Sequence, residues 1–458
     1  GRGVVGWAEM PPAALPRFDL LRSPLPTQPP PRAPAPRTCS SVVTLKACSS
    51  SHAPLPREPR DPVSPASLEV LGGARRALLS GPEGPGLRLK PYEPFPVLGW
   101  NPHLETIFAA FFRSVPDVRL RRECLRTVDD GTIALDWVSG DDRLLSSEAP
   151  VLILLPGLTG GSQNSYVRHM LVRARSKGWR VVVFNSRGCG NSPVTTPKLY
   201  SASFTGDLSE VVNHVSTRYP KSKVYAIGWS IGANILVRYL GQGSYTCPFS
   251  GAVSLCNPFD LVIADEEFQK GFNKIYDKAL ARALTSIFKK HALLFQDMGA
   301  EYNIELTANA NSLRDFDEGL THVSFGFKSV DDYYFNSSSS SFIKNVQTPL
   351  LCIQAANDPV APLRGIPRDE IQDNPNCLLI VTPKGGHLGW IAGNAVPFGD
   401  PWTDTVVMDF LEYLQAGKAL IPADPVNGVE HPDMDSVAIA KEDLEDGPRQ
   451  SRKLVQRH

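Results

Sequence analysis

Several features that would indicate particular partners are missing from this chain of 458 residues. Lysine and arginine together number 47, and so do aspartate and glutamate, so no excess charge attracts nucleic acid or an anionic surface. No apolar run approaches the ~20 residues that a membrane-spanning helix needs. We therefore expect no nucleic-acid partner and no transmembrane segment, and predict a protein that is soluble or at most peripheral to a membrane.

The eight cysteines also lack the spacings that carry a known chemistry. No C-x-x-C pair and no metal-ligand pattern occurs among them, and several lie inside apolar runs, where a reduced thiol behaves as a small hydrophobe. These observations predict a reducing compartment and no disulfide framework, and they give no support to a metal or another cofactor.

The two ends of the chain differ in composition from its middle. Residues 1–89 are rich in proline and have no hydrophobic period, and residues 421–458 are polar and unpatterned, so we predict disorder in both. Met10 is a candidate start, and between Met10 and Arg57 the one acidic residue is Asp19. This basic, hydroxyl-rich composition favours a transit peptide and a chloroplast location. The alternative is an ordinary disordered tail on a cytoplasmic protein.

Between these ends, residues 90–420 show apolar strands that alternate with helical patterns. Such alternation predicts one α/β domain with a mostly parallel central sheet and helices on both of its faces. The stretch TIALDWV alternates like a half-exposed strand, whereas VLILL reads as a buried one. The predicted strands are 132–138, 151–155, 179–185, 223–228, 251–257, 349–355 and 377–382, and the predicted helices are 164–177, 205–219, 231–240 and 403–414.

The alternation is interrupted over about residues 259–345, where the pattern is mainly helical. We interpret this segment as a helical lid inserted over one end of a single sheet. Its phenylalanines either line a pocket for an acyl chain or simply pack the insertion, and the sequence does not favour one reading. They are Phe259, Phe268, Phe272, Phe288 and Phe295.

The segment AIGWSIGAN contains a G-x-S-x-G motif at the junction of a predicted strand and a predicted helix. The string alone is weak evidence, but the junction requires a sharp turn that crowds the backbone around Ser230. Gly228 and Gly232 leave room for that turn, and it places the serine hydroxyl at a helix N-terminus. Ser230 is therefore a candidate nucleophile.

A serine nucleophile needs a base and a group that orients the base. His387 follows the strand CLLIVT in the loop PKGGH, and Asp358 follows the strand PLLCIQA, so both lie beyond the carboxyl ends of strands, as Ser230 does. Once the insertion is set aside, the order Ser230, Asp358, His387 is the order of α/β-hydrolases. We predict that these three residues form a catalytic triad.

An oxyanion hole requires two backbone N–H donors near the nucleophile. Ile231, which follows the serine, is expected to supply one. The other is expected from the loop PGLTGG after VLILL, with Leu158 favoured and Thr159 as the alternative.

With these residues, the chain resembles the branch of α/β-hydrolases that contains bacterial YheT-like hydrolases, animal α/β-hydrolase-domain esterases and plant embryogenesis-associated proteins. The resemblance covers about residues 90–415 and is strongest to the plant members. It rests on GWSIGANILVRYLG, NPHLETI, LLPGLTGGSQNSYVR, FNSRGCGNSP, SLCNPFDL and RDFDE. Three further residues in these stretches are interpreted as structural. His103 is expected to pack at the N-terminal edge of the domain, Arg187 to brace its loop through backbone carbonyls, and Arg314 to hold the lid to the core.

The resemblance implies a carboxylic ester hydrolase or lipase that acts on small-molecule acyl esters without a cofactor. The H-x-4-D signature of some acyl-transferring relatives is absent, because Ala392 stands five residues after His387. A thioesterase or acyltransferase would share every catalytic residue. A small-ligand receptor on the same fold is a further alternative, and turnover by the purified protein separates it from an enzyme. The oligomeric state does not follow from the sequence.

Overall fold

The computed structural model describes residues 68–72, 91–243, 246–392, 396–418 and 420, whose strands form one mixed sheet. The predicted transit peptide and the tail beyond residue 420 lie outside the described residues. The strands are β1 (Glu69–Leu71), β2 (Leu120–Arg126), β3 (Thr132–Val138), β4 (Val151–Leu155), β5 (Arg180–Asn185), β6 (Val224–Trp229), β7 (Phe249–Leu255), β8 (Leu350–Ala355) and β9 (Cys377–Thr382).

The strand order is β1-β9-β8-β7-β6-β4-β5-β3-β2. From β5 through β9 neighbouring strands run parallel, whereas β1, β2 and β3 pair antiparallel at the two sides of the sheet. The parallel strands are buried on both faces, as VLILL in β4 illustrates, because crossover helices cover the sheet from both sides. The predicted α/β class and mostly parallel sheet are thereby confirmed.

Helices pack on both faces of the sheet. Apolar residues of α3 and α13 join one core cluster, and those of α4 and α5 join the cluster on the opposite face. The helices are α1 (Pro102–Phe111), α2 (Asp141–Leu144), α3 (Ser165–Ser176), α4 (Gly206–Arg218), α5 (Ile231–Gly243), α6 (Leu261–Phe268), α7 (Asn273–Lys290), α8 (Ile304–Ala308), α9 (Leu313–Phe316), α10 (His322–Ser324), α11 (Val330–Ser337), α12 (Arg368–Asp373) and α13 (Trp402–Gln415).

The segment between β7 and β8 is helical, in agreement with its sequence pattern. It contains α6 through α11, a π-helical turn at Asp317–Thr321, and 3-10 turns at Ala292–Phe295 and Ser340–Asn345. We call this segment the helical insertion. Phe288 and Phe295 pack against each other with ring centroids 5.2 Å apart, in an apolar cluster that also contains Cys189, Val194 and Leu199 from the segment after β5. The insertion therefore shares a third, smaller core with that segment, in addition to the two that flank the sheet.

Three strands differ from expectation, and one of them, β2, lies where no strand was predicted. β3 is buried rather than half-exposed, because Arg122 and Ser162 hydrogen-bond the Asp136 carboxylate and allow it to be buried. β1 lies inside the segment predicted to lack packed structure, yet it extends the sheet by pairing with β9. Three residues are too few to show a hydrophobic period, so this strand depends on its partner rather than on a local signal.

Candidate active site

The junction of β6 and α5 places Ser230 in a left-handed backbone conformation, with φ of 54°. A Cβ on Gly228 would lie 2.6 Å from the Ala233 Cα, and a Cβ on Gly232 would lie 2.3 Å from the Leu155 carbonyl oxygen. Larger residues at either glycine would therefore collide with backbone. The two glycines allow the strand to turn directly into the helix, and the turn presents the serine hydroxyl at the N-terminus of α5.

The structure brings the three residues of the predicted triad into contact. His387 Nε2 lies 3.1 Å from Ser230 Oγ, and His387 Nδ1 lies 2.9 and 3.1 Å from the two carboxylate oxygens of Asp358. All three residues are buried. Since Asp358 accepts at Nδ1, it favours the tautomer whose Nε2 is free to accept the serine proton.

Backbone donors hold the Asp358 carboxylate in place. Its Oδ1 accepts hydrogen bonds from the N–H groups of Val360 and Ala361, at 2.8 and 2.9 Å. Such contacts fix the orientation of a carboxylate. The loop after β8 thus aims the Asp358 side chain at His387.

The loop that carries His387 is held by groups that the sequence analysis did not identify. The His387 N–H donates to Thr106 Oγ1 at 2.8 Å, and Thr106 Oγ1 donates to the Pro102 carbonyl at 2.7 Å. Gly386, with φ of 54°, donates its N–H to Asn357 Oδ1 at 3.0 Å. Helix α1 therefore helps to position His387 through the hydrogen bond from the His387 backbone to Thr106. The NPHLETI stretch was a signal for α1 but gave no indication of the contact with His387.

The helical insertion contacts the same support. His103 Nδ1 lies 3.0 Å from the Tyr276 hydroxyl of α7, and burial lowers the pKa of His103. Burial raises the pKa of Tyr276 to about 12, while contact with the Thr106 hydroxyl opposes that rise and the Asp358 charge adds to it. Tyr276 therefore links the insertion to the elements that position the histidine. His103 itself packs between Phe272 and Tyr276, in keeping with a structural role.

Two tyrosines hold the predicted oxyanion loop. The Gly157 N–H donates to Tyr166 Oη at 2.9 Å, and the Thr159 N–H donates to Tyr200 Oη at 2.7 Å. Among the described residues, the N–H groups of Leu158 and Ile231 have no hydrogen-bond partner. The geometry therefore favours Leu158 over Thr159 as the second donor, because the Thr159 N–H is already engaged.

An apolar pocket adjoins these two donors. Leu158 and Ile231 line it from the core, and Phe268 and Phe316 line it from the helical insertion. The pocket has a cavity volume of about 100 Å³, which is smaller than the ~300 to 1,000 Å³ of typical small-molecule sites. Of the phenylalanines considered from the sequence, Phe268 faces the pocket, whereas Phe272 is 43 % exposed.

Two carboxyl groups, those of Asp265 and Asp317, interrupt the apolar wall of this pocket. Asp317 is buried, its Oδ2 accepts a hydrogen bond from the Tyr334 hydroxyl at 3.0 Å, and burial raises its pKa to about 6. The sequence did not predict that Asp317 would line a pocket.

The two arginines interpreted as structural do form ion pairs, although their partners differ from expectation. Arg187 binds the carboxylates of Asp129 and Asp207 rather than backbone carbonyls. Arg314 binds Asp265 of α6 and Asp331 of α11, so it connects helices of the insertion with one another rather than with the core.

Two further observations concern the described ranges alone. They contain no group of three or more His, Cys, Asp or Glu side chains arranged to hold a metal ion. None of their helices combines the length and the hydropathy of a membrane span.

A parallel sheet with a serine at the turn after a central strand, and with histidine and aspartate on later loops, defines the α/β-hydrolase class of protein. The family model described as alpha/beta hydrolase fold matches residues 150–393. The chain belongs to this family.

Comparison with known proteins places the chain within one branch of the family. It is 62 % identical over 357 residues to the embryogenesis-associated protein EMB8 of Picea glauca, covering 76 % of this chain and 78 % of that one. It is 33 % identical over 317 residues to the human phospholipase ABHD3, covering 68 % and 76 %. The resemblance to the branch with plant embryogenesis-associated proteins is confirmed.

More distant relatives include a monoacylglycerol lipase of Saccharomyces cerevisiae, 36 % identical over 261 residues that cover 56 % of this chain and 58 % of that one. Among solved structures, the Pyrococcus furiosus esterase Pf2001 is 19 % identical, with a TM-score of 0.43 and coverage of 66 % of this chain and 95 % of that one. The family and its relatives named phospholipase and monoacylglycerol lipase confirm the predicted class of enzyme, an ester hydrolase.

Proposed function

We propose that this protein is a serine hydrolase that cleaves carboxylic acyl esters through an acyl-enzyme intermediate on Ser230. The observation that carries the proposal is the continuous contact from Ser230 Oγ through the His387 imidazole to the Asp358 carboxylate. A serine hydroxyl becomes a useful nucleophile when a positioned base accepts its proton, and this arrangement supplies the base.

The reaction proceeds in two halves. Ser230 Oγ attacks the ester carbonyl carbon while His387 Nε2 takes the hydroxyl proton, and the imidazolium then gives that proton to the leaving alcohol. Water, deprotonated by the same nitrogen, attacks the acyl carbon and releases the carboxylic acid and Ser230. Asp358 holds the imidazole in the required tautomer and stabilises its positive charge.

The N–H groups of Leu158 and Ile231 stabilise the oxyanion that forms in each half. Loss of one such donor costs about 3 to 4 kcal/mol of transition-state stabilisation in well-studied enzymes. Because the donors are backbone groups, their positions depend on the tyrosine contacts to Gly157 and Thr159 and on the turn at Ser230.

The apolar pocket beside these donors is the proposed site of the acyl chain. Relatives named phospholipase and monoacylglycerol lipase support a lipid-like acyl ester as substrate. A thioester or acyl transfer to an alcohol would use the same residues, so competing acceptors must be tested alongside water. The alternative of a receptor without turnover has no observation in its favour.

We further propose that the helical insertion acts as a lid that closes the acyl pocket, because α6 and α9 contribute Phe268 and Phe316 to its wall. Phe268→Ala should shift the preferred acyl chain to a greater length, and Phe268→Trp should shorten it. An unchanged chain-length optimum in both variants would contradict this placement of the acyl chain.

The composition of residues 10–60 supports a chloroplast location as part of the proposal. A fluorescent reporter fused behind these residues should enter chloroplasts of plant cells. Retention of the reporter in the cytosol would overturn the proposed location and leave the enzymatic proposal intact.

The enzymatic proposal is tested by hydrolysis of a p-nitrophenyl ester series of increasing acyl length. Ser230→Ala should lose ~10³-fold or more in kcat, with its circular dichroism spectrum unchanged. The matched control is Ser254→Ala, in which a buried serine of β7 contacts Asn257 rather than a histidine. Equal rates for wild type and Ser230→Ala would refute the proposed nucleophile.

A further inference from the structure

Helix α1 has the reverse of the usual amphipathic arrangement. Glu105 and Thr106 are buried on the face that supports the His387 loop, while Leu104 and Phe111 on the other face are 39 % and 78 % exposed. A surface helix ordinarily buries its apolar stripe and exposes its polar one. Here the apolar side chains remain uncovered by the described residues.

The apolar stripe of α1 consists of Leu104, Phe108 and Phe111, and further exposed apolar residues flank the helix in the sequence. They are Val97 and Trp100 before it and Phe112 and Val115 after it. Phe398 packs against Phe108 with ring centroids 5.5 Å apart and is itself 54 % exposed, and the Phe112 ring lies 5.9 Å from that of Phe108. Phe108, Phe112 and Phe398 therefore form one aromatic cluster at the C-terminal end of α1.

Helix α7 adds to this surface at the N-terminal end of α1. Phe272, 43 % exposed, packs on His103 at 4.5 Å between ring centroids, and Ile275 in the next turn is 56 % exposed. At ~200 Å² for each aromatic side chain, the exposed parts of five aromatic residues amount to on the order of 600 Å². For comparison, the largest single apolar patch on a typical monomeric protein covers ~300 to 600 Å². The five are Trp100, Phe111, Phe112, Phe272 and Phe398.

The exposed face of α7 is basic. Lys274, Lys278, Arg282, Lys289 and Lys290 are all exposed, whereas Asp277, the one acidic residue of the helix, is buried. Lys274 and Lys278 lie within one turn of Ile275, and the other three basic residues continue along the helix away from Phe272, although the chain as a whole has a net charge of zero.

We propose that this surface, formed by the apolar stripe of α1, Phe398, Phe272, Ile275 and the basic face of α7, docks the protein on an anionic lipid membrane. Aromatic and aliphatic side chains enter the boundary between headgroups and acyl chains, and lysine and arginine contact the anionic headgroups. Exposed aromatic side chains next to positive charge are suited to an anionic membrane. A second copy of this chain is a poorer partner for the surface, because it would bring the same positive charges together.

The surface lies on the outer side of the helix that supports the catalytic histidine. Through Thr106, α1 contacts the His387 backbone, and through Tyr276, α7 contacts His103. Docking here would bring the candidate active site close to a lipid surface. The inference goes beyond the proposed function, since membrane binding does not require turnover.

The test is flotation of the full chain with vesicles of phosphatidylcholine alone or with 30 mol % phosphatidylglycerol (roughly the anionic fraction that creates a strong surface potential). Ser230→Ala serves as the parent protein, so that hydrolysis does not alter the vesicles. We expect binding to the anionic vesicles and at least ~10-fold weaker partition into neutral ones.

Two double variants test the aromatic part and the basic part of the surface separately. Phe111→Ser with Phe112→Ser should weaken binding to both kinds of vesicle. Lys278→Gln with Arg282→Gln should weaken binding to anionic vesicles by on the order of 30-fold, because each basic side chain near such a surface contributes about fivefold. The matched control is Val128→Ser with Leu144→Ser, which changes residues that are 92 % and 73 % exposed in the β2–β3 loop and in α2, outside the surface.

The outcomes separate this inference from the enzymatic proposal. Loss of binding in the two surface variants but not in the control supports membrane docking. The Phe111→Ser, Phe112→Ser double variant is also made in the protein that retains Ser230, where wild-type turnover of p-nitrophenyl butyrate shows an intact active site. No binding by the parent, or equal binding by all variants, would overturn the inference. A dimer in sedimentation equilibrium that dissociates in the aromatic variant would overturn it in favour of self-association.

Discussion

The Thr106 hydroxyl is expected to control the position of His387, although it touches neither substrate nor nucleophile. Thr106→Val keeps the shape of the side chain but removes the acceptor of the His387 N–H, whose hydrogen bond is 2.8 Å long and buried. A buried donor left without a partner costs about 1 to 3 kcal/mol. The neighbouring Leu388 has a φ of 63°, which is strained for a residue other than glycine, so the loop has backbone strain that a lost anchor would release.

If the loop relaxes by moving His387, the same free energy appears as a fall in kcat of about 5- to 150-fold, with KM nearly unchanged. The assay is steady-state hydrolysis of p-nitrophenyl butyrate, together with urea unfolding to measure the free energy of unfolding. Thr106→Ser retains the acceptor and should restore most of the activity. A Thr106→Val enzyme with wild-type kcat would refute this account of how the histidine is positioned, even if its stability were reduced.

Three further predictions concern stability and the turn at the serine. Arg187→Met leaves the buried Asp207 carboxylate without its partner and should lower the free energy of unfolding by about 3 to 5 kcal/mol in urea titrations, whereas an unchanged value would contradict a buried ion pair. The raised pKa of Asp317, about 6 in the folded state against 3.8 ordinarily, means that the folded protein binds the proton more tightly than the unfolded chain. The contribution of Asp317 to the free energy of unfolding therefore falls as pH rises from about 4 to above 6. When unfolding is measured at pH 4 and at pH 7, Asp317→Asn should remove about 3 kcal/mol of the difference between the two free energies. Gly232→Ala places a Cβ 2.3 Å from the Leu155 carbonyl and should abolish activity or folding, so an active, stable variant would disprove the tight turn.

The elements that the sequence predicted well carry their signal locally. Buried parallel strands such as VLILL in β4 and CLLIVT in β9 are continuous apolar runs, so their identity does not depend on distant partners. The same holds for Ser230, because two glycines around it are needed by the turn itself. Residues at the ends of successive parallel strands meet at one edge of the sheet, which is why Asp358 and His387 were predicted to lie near the serine.

The supporting contacts carried no such signal. Thr106 and His387 are separated by 281 residues, and Thr159 and Tyr200 by 41, so only the three-dimensional packing shows that they meet. β2 reads LRRECLR, in which charged residues conceal a strand that is specified by its antiparallel pairing with β3. Such elements depend on tertiary context, and local propensity does not reveal them.

The central claim is that Ser230 forms the covalent intermediate. The most direct measurement is reaction of the full chain with a p-nitrophenyl alkylphosphonate, followed by intact-mass and peptide mass spectrometry. We predict one adduct per chain on the peptide that contains Ser230, release of one equivalent of p-nitrophenolate, and no adduct on Ser230→Ala. An adduct that maps to another residue, or ester hydrolysis that survives in Ser230→Ala, would contradict the claim.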